Sequence, residues 1–196
     1  MNHALPLPPA QFGLRLPRPL LIALIGLPGA GKSSVATYLA SRFQVRVVNR
    51  DRIRAAMFPE CAYSLPEKRA AFQALMLAIE VNSALGESTI VDGMTFSRRS
   101  DLEKVSALAG RYGLTMVPIW LDIDPELARQ RIAADIAAGQ NSPLDRVPEL
   151  VDSVLERFER PPPTVPVIDA GKAREQVFAL AERVVQQRAG LLRSGS

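Results

Sequence analysis

Apolar runs of strand length alternate with segments of helical period along most of this chain, a pattern that predicts a parallel sheet with crossover helices. Leu20 to Ile25 is an unbroken apolar run and the first predicted strand. A helix follows from Ser34 to about Phe43, and Val45 to Val48 is a short second strand running into Asn49-Arg50-Asp51. Ser64-Leu65-Pro66-Glu67 is a capping-box pattern with proline in the first turn, so a helix starts there. Phe72, Leu75, Met76 and Ile79 keep its spacing, and Gly86 is its stop. Thr89 to Asp92 is the third strand. Ser100-Asp101-Leu102-Glu103 is a second capping box, opening a helix that carries Leu102, Val105, Leu108 and Tyr112 on one face and stops near Gly113. Met116 to Leu121 is the fourth strand, and Asp124-Pro125-Glu126 caps a helix ending near Gly139. After a polar break from Asn141 to Val147, a helix runs from Val147 to Glu159 and ends at Pro161-Pro162-Pro163. Val165 to Ile168 is the fifth strand, placed at an edge by its proline, and Ala173 to Gln187 is a closing amphipathic helix. The fold class predicted is α/β, in three layers, with a five-stranded and mainly parallel sheet. Residues 1–19 form a Pro-rich arm expected to be extended, 20–189 one domain, and 190–196 a tail expected to be flexible.

Composition narrows the chemistry. With 196 residues, 47% of them hydrophobic, the chain can bury a substantial core. Its single cysteine, Cys61, excludes an internal disulfide and a multi-cysteine zinc site and fits a reducing compartment. The longest apolar stretch, Leu20 to Leu27, is too short to span a bilayer, and prolines interrupt any signal-like segment near the start. The reading is a cytoplasmic protein with no membrane partner. The one histidine, His3, lies in the Pro-rich arm, which disfavours histidine-dependent catalysis. The net charge of +4 rests on only four lysines, the other basic residues being arginines. Arginine suits bidentate phosphate contacts, although an Arg-rich genomic background yields the same bias.

Residues Gly26 to Ser33 read G-L-P-G-A-G-K-S and fit the phosphate-loop pattern G-x-x-x-x-G-K-[ST] at every fixed position. A predicted strand precedes the loop and a predicted helix follows it, as the pattern requires. Gly26, Leu27, Pro28, Gly29, Ala30, Gly31, Lys32, Ser33 and Ser34 are the candidate nucleotide-binding residues. Backbone N–H groups and the helix dipole would cradle phosphate there, Lys32 would reach the β- and γ-phosphates, and the Ser33 hydroxyl would ligate Mg²⁺. ATP and Mg²⁺ are the cofactors implied.

Further residues narrow the match. Asp51-Arg52-Ile53-Arg54 at the end of the second strand is D-x-x-R, and Asp92 ends the third strand with Arg98 and Arg99 shortly after it. Asp122-Ile123-Asp124-Pro125-Glu126 followed by Arg131, and Asp169-Ala170 after the fifth strand, complete the set. In this order they resemble the polynucleotide-kinase, zeta-toxin and adenylylsulfate-kinase branch of the P-loop kinases, over about residues 20–187. The resemblance implies a P-loop fold with a helical lid at about residues 127–160. It implies Asp51 as the group that aligns the acceptor hydroxyl and takes its proton, a role a carboxylate beside the phosphate loop can fill. Arg54 shares a helical face with Asp51 and is a candidate to hold the acceptor; a helix cap with a local ion pair is the alternative. Asp92 is a candidate for a Mg²⁺-bound water or for the acceptor, or else a turn cap. Arg131 is the candidate lid arginine closing over the transferring phosphate, with Arg129 competing; Arg99, with Arg98 and Arg146 behind it, is a weaker acceptor candidate. The chain departs from the family pattern at Asp135, where a second lid arginine is frequent, and at Gly93-Met94-Thr95, where Ala-Thr-Asn is frequent.

The reading favoured is an ATP-dependent phosphotransferase acting on a hydroxyl, with a small-molecule acceptor preferred. A polynucleotide 5′-hydroxyl is the alternative acceptor, for which Arg50, Arg52, Arg54, Arg98 and Arg99 would supply charge. The helix from Ser64 to Gly86 offers no aromatic ladder for stacking bases. An ATPase or nucleotide-binding module without an acceptor is the other alternative. A GTPase is disfavoured, because no lysine follows an asparagine to form N-K-x-D, and D-x-x-G is absent.

Overall fold

A computed structural model describes residues 13–139 and 147–192. Five strands, β1 (Leu20–Ile25), β2 (Arg46–Asn49), β3 (Thr89–Asp92), β4 (Thr115–Asp122) and β5 (Val167–Asp169), form one sheet in the order β2-β3-β1-β4-β5. Every neighbouring pair is parallel. The helices are α1 (Lys32–Arg42), α2 (Arg50–Met57), α3 (Leu65–Ala84), α4 (Arg99–Arg111), α5 (Pro125–Ala137), α6 (Glu149–Leu155) and α7 (Arg174–Ala189).

The layering follows from the pleat of the central strand, since successive side chains of β1 point to opposite faces. Leu20, Ile22 and Leu24 pack with Val35 and Leu39 of α1, Ile132 of α5, Val151 of α6 and Ala181 of α7. Leu21, Ala23 and Ile25 pack with Leu75 and Ile79 of α3 and Val105 and Leu108 of α4. The sheet is therefore buried on both sides, which explains why β1 is apolar throughout. No described helix is long and apolar enough to cross a membrane.

The first and third predicted strands match β1 and β3 residue for residue, and β5 is an edge as its proline predicted. Two local expectations are corrected and one is filled in. The helical face read for Asp51 and Arg54 belongs to a helix, α2, that directly follows β2, because Asn49 both ends the strand and caps the helix by accepting from Arg52 N at 2.8 Å. The box at Ser100 does not form; α4 starts at Arg99, whose N–H is capped by the Glu159 carboxylate at 2.8 Å. Helix α6 is shorter than predicted, because the chain leaves it for Glu159 N to bond Ser97 O at 2.8 Å. Within the predicted arm, Leu14 bridges to Phe43 and Leu16 is buried. Residues 1–12 of that arm with His3, the polar break over 141–146 with Arg146, and the Ser-Gly-Ser end lie outside the described residues.

The box at Ser64 forms as predicted, with Ser64 and Glu67 bonding each other's backbone. Hydrogen bonds from the backbone N–H of Ala62 and of Ser64 hold the Glu67 carboxyl below its ordinary range. A carboxyl lowered by folding stabilises the native state above its unfolded value, and that contribution is lost as pH falls through the folded value. Glu67→Gln is therefore expected to flatten the acid limb of stability against pH, read by denaturant unfolding below neutrality; an unchanged limb would contradict the role given to this cap.

Candidate active site

The loop from Gly26 to Gly31 leaves the C-terminal end of β1 and enters α1 through Gly31, which has a left-handed backbone, φ 81°. Unlike α3 and α5, α1 has no side-chain cap and no acidic residue in its first turn. Its leading N–H groups and positive dipole end are thus left for an anion from outside the helix. Lys32 Nζ lies along the loop, donating to Gly26 O at 2.9 Å and Leu27 O at 2.7 Å. Gly29 is fixed by close approach: at φ 83°, a Cβ there would stand 2.6 Å from the carbonyl oxygen of Ala128 in α5.

The parallel order β2-β3-β1 brings the ends of all three strands to the loop. Asp92, 4% exposed at the end of β3, accepts from Ser33 Oγ at 3.0 Å with one oxygen and from Asn49 Nδ2 at 2.7 Å with the other. Ser33 and Asp92 thus present a hydroxyl and a carboxylate side by side, hard oxygen donors of the kind Mg²⁺ prefers. Among the described residues there is no group of three acidic, histidine or cysteine side chains able to hold a metal unaided. This set fits a Mg²⁺ ion retained largely by phosphate oxygens and water rather than by a protein cage.

On the first turn of α2, Asp51 Oδ1 accepts from Arg54 Nη2 at 2.9 Å and from Arg50 Nη2 at 3.4 Å. Arg54 is only 3% exposed, and the Tyr63 ring covers its guanidinium at 4.4 Å. Tyr63 itself sits at φ 55°, a strained backbone region for an aromatic residue. The buried cation thus has both a carboxylate and an aromatic face, and it fixes the rotamer of Asp51.

Pro28 to Ser34, Asp51, Arg54, Asp92 and Arg131 all line one cleft of about 650 Å³. Gly26 and Leu27 lie at its root, as the carbonyls that hold Lys32. The two lid candidates separate. Arg131 faces the cleft, whereas Arg129 pairs with Glu126 at 2.9 Å and with Asp152 of α6 at 2.6 Å. Chiefly through the Arg129 hydrogen bond, the Glu126 carboxyl lies below its ordinary range. The expectation for Arg99 is corrected: its guanidinium bonds the carbonyl of Arg160 at 2.8 Å, tying α4 to the segment after α6, and it does not line the cleft.

Sequence reasoning missed three residues that shape this cleft. Asn49 links the cap of α2 to Asp92, and its only sequence signal is a polar residue at a strand end. Tyr63 reaches Arg54 from an irregular segment with no periodicity to place it. Arg174 donates to Ser34 Oγ at 3.2 Å and lies 5.5 Å over Phe178, whose ring stacks on Tyr38 at 4.5 Å. Arg174 and Phe178 line the same cleft as Asp51.

A family model described as an AAA domain matches residues 21–161. No curated protein matches the chain. Among solved structures, a protein of Chloroflexus aurantiacus J-10-fl provisionally described as a kinase superposes with a TM-score of 0.68 at 24% identity, covering 86% of this chain and 97% of that one. A gluconokinase from Sinorhizobium meliloti 1021 gives 0.61 at 18% identity, covering 90% and 96%. The APS kinase of Mycobacterium tuberculosis, in complex with AMPPNP and APS, gives 0.59 at 17%, covering 87% and 97%. At such identities the likeness establishes the fold, which is that of the P-loop kinases.

Proposed function

The chain belongs to the AAA domain family, and we propose that it is a phosphotransferase that moves the γ-phosphoryl group of ATP to the hydroxyl of a small molecule. One observation carries the reading: Asp51 faces the same cleft as Lys32 and Ser33, so an acceptor over Asp51 would meet a phosphate held by the loop. Phosphoryl transfer needs mainly positioning and charge stabilisation, with a group to accept the hydroxyl proton. In this reading the N–H groups of the loop and of α1 bind the phosphate chain, and Lys32 leaves its loop carbonyls for the β- and γ-phosphates. Ser33 and Asp92 would hold Mg²⁺, which would supply neutralisation of phosphate charge when bound. Asp51 takes the acceptor proton as the new P–O bond forms and the bond to the ADP oxygen breaks. Arg54 orients Asp51 rather than touching the acceptor. Arg131 closes over the transferring group from the lid, and residues 20–189 form the transferase domain. A cytoplasmic setting, where ATP is available, belongs to the same proposal.

The deciding experiment is consumption of labelled ATP with and without a panel of hydroxyl acceptors. Acceptor-dependent consumption with a phosphorylated product is expected; equal consumption without any acceptor would overturn the reading in favour of an ATPase.

Asn49 is the positioning residue in this scheme. Asn49→Asp keeps a good helix cap but replaces the donor facing Asp92 with a second carboxylate. Like charges in contact repel, so kcat/KM at neutral pH should fall and its dependence on Mg²⁺ concentration should change. Asn49→Ser, which also caps but adds no charge, should lower kcat/KM less. Wild-type kcat/KM in both variants would assign Asn49 to the fold alone.

A further inference from the structure

Arg50 carries a charge that the transfer chemistry above does not use. It lines the cleft beside Asp51, yet its own contacts are poor. Nη1 points at the Met94 sulfur at 3.3 Å, and a thioether is a weak acceptor. Nη2 shares Asp51 Oδ1 at 3.4 Å, an oxygen that Arg54 already holds at 2.9 Å. The Nε atom is buried and has no hydrogen-bond partner. Two guanidinium groups therefore lean on one carboxylate, and the second is left with unused donors in a fixed fork. Arg54 cannot offer a comparable face, because Asp51 and Tyr63 enclose it. Next to this pair, Gly93 has no side chain to cover Asp51: a Cβ there would stand 3.2 Å from Oδ2.

We propose that Arg50 is a specificity-determining residue of the acceptor site, and that the acceptor is a small alcohol also carrying an anionic group. Its carboxylate or phosphate would pair with the Arg50 guanidinium while its hydroxyl reaches Asp51 Oδ2 over Gly93. Planar, bidentate recognition of such anions is what an arginine fork provides. A long polyanion is not favoured. The arginines it would run along, Arg98 and Arg99, do not line the cleft, and Arg99 is bonded to the Arg160 carbonyl. The inference rests on the phosphotransferase reading.

The test loads the protein with AMPPNP and Mg²⁺, so that the phosphate loop is filled, and then titrates glycerol, glycerate and glycerol 3-phosphate by calorimetry. Both anions are expected to bind at least about tenfold more tightly than glycerol, the worth of one charge-assisted contact. The comparison of glycerate with glycerol 3-phosphate tells which anion is read. Arg50→Gln should abolish the preference, Arg50→Lys should keep part of it, and Arg98→Gln should keep all of it. Anions that bind no better than glycerol, or a preference that survives in Arg50→Gln, would overturn the inference. So would a 5′-hydroxyl oligonucleotide that binds more tightly than either anion and loses that advantage in Arg50→Gln. If Arg50→Gln does not fold, the wild-type comparison of anions with glycerol still decides. Failure of AMPPNP to bind at all would instead strike the phosphotransferase reading itself.

Discussion

Lys32→Ala is expected to lower the rate of phosphoryl transfer by at least about 100-fold, the usual consequence of removing one donor aimed at developing charge. The structure adds a reason for the loss to reach nucleotide affinity as well as kcat. Lys32 Nζ is anchored on the carbonyls of Gly26 and Leu27. Those oxygens belong to the loop that must wrap the phosphates, so alanine removes the ammonium needed for transfer and also the tie that shapes the loop before ATP binds. Single-turnover transfer at saturating ATP, set beside AMPPNP binding, separates the two effects. Wild-type turnover in the variant would refute the phosphate-loop assignment.

Asp51→Asn should reduce transfer by roughly 10²- to 10⁴-fold, the range for a positioned general base, while AMPPNP still binds. A second effect follows from burial. Arg54 is 3% exposed and bonds Asp51 at 2.9 Å, so the amide replaces a charge-assisted contact of a buried cation with a neutral one. The variant is expected to lose about 1–3 kcal/mol of stability, read from its denaturation midpoint. Activity must accordingly be compared well below that midpoint. Unchanged turnover there would remove Asp51 from the mechanism.

How far the sequence reveals this site depends on the distance over which each interaction acts. The phosphate loop is local: its glycines, Lys32 and Ser33 announce themselves within one short stretch, directly after an unbroken apolar run of strand length. Asp92 at the end of β3, and Asp51 just past the end of β2, were legible for the same reason. Helix α2 was legible only as the shared face of Asp51 and Arg54; its start was not, because Asn49 ends β2 and caps α2 at once and no turn residues separate the two. The start of α4 moved because its cap, Glu159, comes from a distant segment. Likewise, nothing in the order of residues distinguishes Arg129 from Arg131. Asp152 on α6 draws the first outward and leaves the second to the cleft. Tyr63 over Arg54 and Arg174 beside Ser34 are products of the packed chain alone.

The contact of Gly29 with Ala128 bears on modularity. Main chain meets main chain there with no side chain between, so the shape of the loop is complementary to the backbone path of α5 rather than to any residue type. Chimaeras that splice a foreign lid onto this domain should therefore place their junction beyond the first turn of α5. The loop and that turn, distant in sequence, behave as one exchangeable block.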